Sequence, residues 1–189
     1  MKNKPYFILI AAVIFITPTS NSLLNANNKR NLDIDSVTVI DKFPNFYQSG
    51  DYYFGGQPSR EQLEWLQEQG VTLIVNLRSE KEMEKVIAEG FDEKLNVTEL
   101  GMKYVQIPME GASAYNTYTL ADFSSVLNEN NGKVFIHCYS CYRVTCITMA
   151  YLIGYENTPV NDAVNFGKKM KYSSPLEDLL GRKMTCYIE

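Results

Sequence analysis

The most reactive side chains in the sequence lie in one short segment, VFIHCYSCYRVTCITMAYLI, which spans residues 134–153. Its apolar start, Val134–Ile136, predicts a buried strand, and the only histidine of the chain, His137, and then Cys138 follow it. Arg143 stands five residues after Cys138, and the apolar residues beyond it predict a helix. A thiolate is a nucleophile and a guanidinium holds two oxygens of an oxyanion, so this pair suits chemistry on an anionic group.

The turn between the strand and the helix predicts an anion-binding site. Its backbone N–H groups belong to Tyr139, Ser140, Cys141 and Tyr142. Unpaired N–H groups at a helix amino terminus attract an anion, and the same field favours a thiolate at Cys138. Arg143 adds a fixed positive charge. A buried cysteine and a surface arginine are the simpler interpretation, but the order strand, cysteine, turn, arginine and helix favours the site.

Strands and helices alternate along the chain. The segment GGQPSREQLEWLQEQGVTLIVNLRSEKE, residues 55–82, predicts a helix that enters at Pro58–Ser59 and stops at Gly70, followed by a strand over Val71–Val75. Further strands are predicted at 36–40, 104–107 and 133–136, and further helices at 81–94, 120–128 and 144–154, whereas residues 43–53 have the pattern of an aromatic loop. This alternation predicts an α/β fold with a central, mostly parallel sheet flanked by helices.

Polar residues follow three of the predicted strands. They are Asn76–Arg78, Glu110 and the segment Cys138–Arg143. Ligands of such sheets bind beyond the carboxyl ends of the strands, so these residues are expected to converge on one rim. Asn76 and Arg78 are interpreted chiefly as packing or surface residues.

The sequence resembles the cysteine-dependent phosphatase superfamily. Within it, the chain is most similar to the bacterial family related to dual-specificity phosphatases, whose phosphatase-like domain is also found attached to β-lactamase-like hydrolases. The resemblance extends from about Val39 to about Lys171 and rests on GGQPSREQLEWLQEQGVTLIVNLR, YVQIPME and VFIHCYSCYRVTCITMAYLI. It implies the dual-specificity phosphatase fold and hydrolysis of a phosphate monoester, with Cys138 as the nucleophile and Arg143 as the phosphate-binding arginine. It also implies a phosphocysteine intermediate released by water, without a metal or other cofactor.

Three features depart from the pattern of that superfamily. Four residues, instead of five, separate Cys138 from Arg143, a spacing that also resembles rhodanese-type sulfurtransferases. Cys141 stands where related loops have glycine, and Cys138-Tyr-Ser-Cys141 is a C-x-x-C pattern typical of thiol–disulfide enzymes. The usual general acid is an aspartate on a neighbouring loop, where this chain has Glu110 instead. Glu110 is equally well interpreted as an ordinary solvent-exposed acid of a loop.

These departures leave alternatives open at the same cysteine. The first expectation is a phosphatase that acts through Cys138. Sulfur transfer, thiol–disulfide chemistry and a catalytically inactive phosphate-binding module are the other functions that the sequence allows.

The beginning of the chain predicts export. Lys2 and Lys4 precede an apolar run over residues 6–16, and small polar residues follow, as in a secretory signal. Residues 1–26 are therefore predicted to be a signal peptide or an N-terminal membrane anchor, residues 27–35 a linker and residues 36–189 the phosphatase-like domain. The predicted location is the periplasm or the extracellular space, or the outer face of a membrane.

The net charge and the single histidine indicate which kinds of partner to expect. The formal net charge is −4, which argues against a nucleic-acid partner because phosphate backbones bind basic surfaces. With one histidine, whose neighbour Cys138 would point the opposite way on a strand, a metal site is not expected. The expected partner is a phosphorylated protein or small molecule.

Overall fold

The computed structural model describes residues 30–172 and 176–184, so the predicted signal peptide or anchor, residues 1–26, lies outside the described residues. The described strands are β1 (Thr38–Val39), β2 (Tyr47–Ser49), β3 (Tyr52–Gly55), β4 (Val71–Asn76), β5 (Lys103–Gln106) and β6 (Lys133–His137). The described α-helices are α1 (Arg60–Glu68), α2 (Glu80–Ala88), α3 (Glu93–Glu99), α4 (Thr117–Asn128), α5 (Tyr142–Gly154), α6 (Val160–Lys168) and α7 (Leu176–Leu180). None of the helices in these two ranges is long and apolar enough to cross a membrane.

The strands form one sheet in the order β1-β2-β3-β6-β4-β5. The pairs β3–β6, β6–β4 and β4–β5 are parallel, whereas β1, β2 and β3 pair in antiparallel fashion at one edge. Helices cover the sheet, which confirms the predicted α/β class with a mostly parallel sheet. In the register of the centre, Gly55 and Asn76 both lie opposite His137, so three strands end at the same level beside the cysteine segment.

Two hydrophobic clusters cover the two faces of the sheet. Val134, Ile136 and Cys138 belong to the larger cluster, which also contains residues of α4, α5, α6 and α7. Phe135 belongs to the smaller cluster, together with residues of α1 and α3. Because side chains alternate along a strand, His137 points to the face of Phe135 and stacks on its ring, whereas Cys138 lies on the opposite side.

The prediction of a loop over residues 43–53 is wrong. Tyr47–Ser49 and Tyr52–Gly55 are strands, and every residue of β3 is buried. The aromatic run is the parallel neighbour of β6, where aromatic side chains pack well on a pleated surface. The predicted helix over residues 81–94 is also wrong in part, because Gly90, with a φ of 94°, separates α2 from α3.

Candidate active site

The segment from Cys138 to Arg143 joins β6 to α5 at the centre of the sheet. β6 ends at His137 and α5 begins at Tyr142, close to the predicted boundaries. Cys141 is the N-cap residue of α5, and its side chain makes no capping hydrogen bond. The first amide groups of a helix have no partner within the helix, so the amino terminus of α5 presents N–H donors beside this loop.

The GGQP segment packs directly against the cysteine loop. The backbone N–H of Gln57 donates to the carbonyl oxygen of Tyr139 at 3.4 Å, and Gly56 bridges with Ser140. A Cβ atom at Gly56 would lie 2.9 Å from the Tyr139 oxygen, too close for any side chain. Glycine is therefore required there, because it lets the two backbones approach.

Four hydrogen bonds hold the guanidinium of Arg143. Its Nη1 and Nη2 donate to the two carboxylate oxygens of Glu82, both at 2.7 Å. Nη1 also donates to the carbonyl oxygens of Leu77 at 3.2 Å and Met109 at 3.0 Å. These two carbonyls follow β4 and β5, so the side chain is fixed between the ends of two neighbouring strands and the start of α2.

The four hydrogen bonds leave one edge of the Arg143 guanidinium without an oxygen acceptor among the described residues. The group has five N–H donors in a planar fork, and the bonds to Glu82, Leu77 and Met109 use Nη1 and one donor of Nη2. The remaining edge carries Nε–H and the second Nη2–H. Cys138 lies close enough to this guanidinium for the two charges to interact. Burial lowers the pKa of Arg143, but the hydrogen bonds and charges of Glu82 and Cys138 outweigh burial and raise it above its usual value.

Glu82 lies in the first turn of α2, and the start of that helix positions it. Ser79 and Glu82 form a capping box, in which the Ser79 hydroxyl accepts from the Glu82 N–H and the Glu82 carboxylate accepts from the Ser79 N–H. The hydrogen bonds from Arg143 are the main reason why the pKa of Glu82 is lowered to about 2. Glu82 is therefore a permanent anion that orients the arginine.

The three cysteines that the structure describes are reduced and buried. Burial, with the charge of Cys138 as a second cause, raises the pKa of Cys141 to about 12. Burial, and then the charge of Asp178, raises the pKa of Cys146 to about 12. A thiolate is thus disfavoured at both Cys141 and Cys146.

Cys141 has an unusual backbone. Its φ is 74° and ψ −9°, in the left-handed region that costs a residue with a side chain roughly 1–2 kcal/mol. Cys141 therefore adopts a backbone conformation that normally favours glycine. Its sulfur lies 3.9 Å from the Thr145 hydroxyl, in the first turn of α5.

Two tyrosine side chains form the solvent-facing side of the loop. Tyr139 is 67% exposed and Tyr142 is 50% exposed. The guanidinium carbon of Arg78 lies 5.3 Å from the Tyr139 ring centroid, and the Lys171 ammonium lies 5.5 Å from the Tyr142 centroid. Ser140 is half-buried between them.

The loop after β5 brings two further candidates to the same rim. Glu110, the predicted general acid, is exposed and directly follows Met109, whose carbonyl oxygen accepts from Arg143. Within the described residues Glu110 makes no hydrogen bond or ion pair. Tyr115 is half-buried and close to the cysteines: burial raises its pKa, and the charges of Cys146, Arg143 and Cys138 act on its hydroxyl. Tyr115 was not among the predicted site residues.

A polar network centred on two fully buried side chains lies under the other face of the loop. His137 Nε2 is 2.6 Å from Glu93 Oε1, and both side chains are 0% exposed. The side-chain amide of Gln57 donates to Glu93 Oε2 at 2.8 Å, and Gln57 Oε1 accepts from Arg78 Nη1 at 2.6 Å. Asn76 completes the network through hydrogen bonds to Tyr104 and Glu93.

Sequence reasoning missed Gln57, Glu82 and Glu93, and it interpreted Arg78 as a packing or surface residue. Arg78 is only 6% exposed. One signal was present: Ser79 and Glu82 have the spacing of a capping box immediately after a strand, which locates Glu82 at the rim. The position of Gln57 beside two glycines was a weaker signal, and the sequence holds no signal for Glu93.

The sequence matches a family of known proteins. The sequence pattern of the family described as DSP-PTPase phosphatase fused to NAD+ kinase matches residues 33–165. No match was found among curated proteins.

Solved structures with the same fold agree with the family match. One is a DUF442 protein from Shewanella putrefaciens CN-32, described as a candidate phosphatase, with 20% identity, 75% of this chain and 92% of that chain covered and a TM-score of 0.58. The active form of Tk-PTP has 16% identity, coverage of 75% and 99% and a TM-score of 0.58. TpbA from P. aeruginosa, in complex with phosphotyrosine, has 15% identity, coverage of 70% and 76% and a TM-score of 0.53.

Proposed function

Because the chain belongs to the family of DSP-PTPase phosphatases that its residues 33–165 match, we propose that it hydrolyses phosphate monoesters through a covalent phosphocysteine at Cys138. The observation that carries the proposal is the guanidinium of Arg143. Glu82 and two carbonyl oxygens fix it, and its charge lies beside Cys138. A fork of two parallel donors fits two oxygens of a phosphoryl group.

The first step is attack by the Cys138 thiolate on the phosphorus atom. The S–P bond forms while the bond between phosphorus and the leaving oxygen breaks, and negative charge spreads over the three remaining phosphoryl oxygens. Arg143 and the N–H groups at the start of α5 stabilise that charge, and the N–H groups of the loop residues Tyr139, Ser140, Cys141 and Tyr142 share in binding the phosphate. Their positions are fixed before the substrate arrives, so little reorganisation is needed.

The leaving oxygen takes a proton from a general acid, for which we propose Glu110. It stands on the loop after β5 next to Met109, whose carbonyl oxygen is hydrogen-bonded to Arg143. In the second step the ionised Glu110 takes a proton from a water that attacks the phosphorus atom. The S–P bond breaks, the Cys138 thiolate is restored and inorganic phosphate leaves.

Two measurements test this function. Hydrolysis of para-nitrophenyl phosphate under reducing conditions is expected for the wild-type protein and lost in Cys138→Ser, while Cys146→Ser serves as a matched control that removes a different buried thiol. Rapid quenching in acid followed by mass spectrometry is expected to find one phosphoryl group on the peptide that contains Cys138. An active Cys138→Ser protein, or a phosphoryl group on another residue, contradicts the proposal.

Sulfur transfer is the second candidate for the same cysteine, since four residues separate Cys138 from Arg143. Transfer of sulfur from thiosulfate to cyanide measures it directly. The raised pKa of the buried Cys141 disfavours a dedicated thiol–disulfide enzyme, which needs two accessible thiols.

We also propose that the protein is exported, on the basis of the predicted signal or anchor in residues 1–26. Cell fractionation of the full chain, with amino-terminal sequencing of the mature protein, tests this. Carbonate extraction separates a cleaved product from an anchored one.

A further inference from the structure

A second cleft opens beside the cysteine loop. It has a volume of about 720 Å³, in the range of small-molecule sites, and its lining includes Gln57, Arg78, Glu82, Lys85, Phe91 and Tyr139. Tyr139 directly follows Cys138 in the loop, and Glu82 orients Arg143. The cleft therefore shares two walls with the proposed phosphatase site and is open to the part of a substrate that extends beyond its phosphate.

Arg78 is the unusual group in this cleft. Its side chain is only 8% exposed, and within the described residues its guanidinium makes a single hydrogen bond, from Nη1 to Gln57. Among residues 30–172 and 176–184, its buried Nε finds no hydrogen-bond partner and lies 3.5 Å from Glu82 Oε1. A buried cation with unused donors is costly unless an anion pairs with it.

Glu82 does not supply that anion fully, because Arg143 binds the same carboxylate more tightly. The contact from Arg143 Nη2 to Glu82 Oε1 is 2.7 Å, against 3.5 Å for Arg78. Lys85 and Glu89 add one charge of each sign to the cleft lining. The lining thus carries two positive and two negative groups, but Glu82 is shared with Arg143, so it neutralises Arg78 only in part.

We propose that this cleft binds a second anionic group of the substrate, so that the preferred substrates are small phosphate monoesters that carry another phosphate or a carboxylate close by. The inference rests on the proposed function, because the cysteine loop takes the first phosphate. Arg78 Nε and Arg143 Nη2 both contact Glu82 Oε1, so they are at most 6.2 Å apart, the sum of the two distances. The two anionic groups must therefore lie on the same small carbon skeleton, which the rings of Tyr139 and Phe91 flank.

The test uses phenyl phosphate and its ortho-, meta- and para-carboxy derivatives, which add a second anion at three different distances from the phosphate. For at least one isomer we expect kcat/KM to exceed that of phenyl phosphate by roughly tenfold to a hundredfold, the effect of a charge-assisted hydrogen bond. This ratio is expected to fall to near one in Arg78→Met and severalfold in Lys85→Met. Lys81→Met is the matched control, an exposed lysine of the same helix outside the cleft lining, and it should leave the ratio unchanged.

Binding to Cys138→Ser separates a failure of this inference from a failure of the proposed function. Calorimetric titration of that variant with phenyl phosphate and the carboxy derivatives does not require hydrolysis. Tighter binding of a carboxy isomer, lost on adding Arg78→Met, supports the cleft even if no substrate is hydrolysed. Equal dissociation constants with and without the carboxylate, or an advantage that survives Arg78→Met, overturn it.

Discussion

Two acid–base pairs meet the end of the sheet from opposite faces, and they are built differently. Arg143 approaches from α5 and meets Glu82 of α2, with 17% and 29% of their side chains exposed. His137 and Glu93 lie on the side of α1 and α3, and both are fully buried at 2.6 Å. The first pair leaves two N–H donors of the arginine unused, whereas the second lies deep beneath the loop.

From this difference we expect the pair of Arg143 and Glu82 to take part in binding, and the pair of His137 and Glu93 to support the loop. The open pair holds a cation in place while its free edge remains available for an oxyanion. The closed pair has no solvent access, and it fixes the residue next to the cysteine. Gln57 connects the two regions, since its amide donates to Glu93 and accepts from Arg78. A change in the open pair should therefore affect turnover, and a change in the closed pair should affect folding.

The largest expected effect is on stability, from Glu93→Ala. Removing one partner of a buried pair leaves the other polar group without compensation, so the free energy of unfolding should fall by roughly 3–5 kcal/mol. Urea denaturation measures it. The matched control is Glu99→Ala in the same helix, which breaks an exposed ion pair with Arg60 and should cost at most about 1 kcal/mol. If the two variants lose the same stability, the closed pair is not a structural support.

The next effect is on activity, from Glu82→Gln. Glutamine at this position preserves the capping box but removes the charge that orients Arg143. We expect kcat/KM for para-nitrophenyl phosphate to fall roughly tenfold to a hundredfold, the range for losing hydrogen bonds between charged groups. Glu84→Gln, an exposed acid of the same helix, should leave activity unchanged. Full activity in Glu82→Gln would show that the two carbonyl oxygens orient the arginine on their own.

The ion pair of Glu82 and Arg143 should also make the stability of the protein depend on pH. The pKa of Glu82 is about 2 in the folded protein and 4.5 in its usual state, so its contribution is complete above about pH 4.5 and is lost as the pH falls toward 2. The difference in unfolding free energy between wild type and Glu82→Gln should shrink over that window, by on the order of 2 kcal/mol. A difference that stays constant down to about pH 2.5 contradicts the assignment.

Sequence analysis predicted the strands and helices that are determined by residues close together in the chain. The strand before Cys138, the helix after it, and the helix and strand of the segment 55–82 follow from apolar periodicity and from capping residues. β3 was missed because its aromatic residues adjoin glycines, and only the pairing with β6 makes them a strand. Gly90 interrupts the charged segment, but charge periodicity alone did not show it.

The pairs that organise the site have no local cause. Glu82 and Arg143 are 61 residues apart, and Gln57 and Glu93 are 36 apart. Which acid reaches which base depends on the strand order, in which β6 lies between β3 and β4. Sequence reasoning could therefore nominate Cys138 and Arg143 from one contiguous segment, but it could not show that Glu82 contacts Arg143 or that Glu93 contacts His137.

The smallest expected effect concerns Cys141, which lies in the loop between the two pairs. Glycine normally destabilises a protein relative to alanine, because it loses more backbone freedom on folding. At a φ of 74° the order should reverse, since alanine retains the strain of the left-handed conformation. Cys141→Gly and Cys141→Ala both remove the buried sulfur, so their difference isolates the backbone. We expect urea denaturation to show that the glycine variant is more stable than the alanine variant by about 1 kcal/mol. If the alanine variant is the more stable one, the loop relaxes and the backbone of Cys141 is not strained.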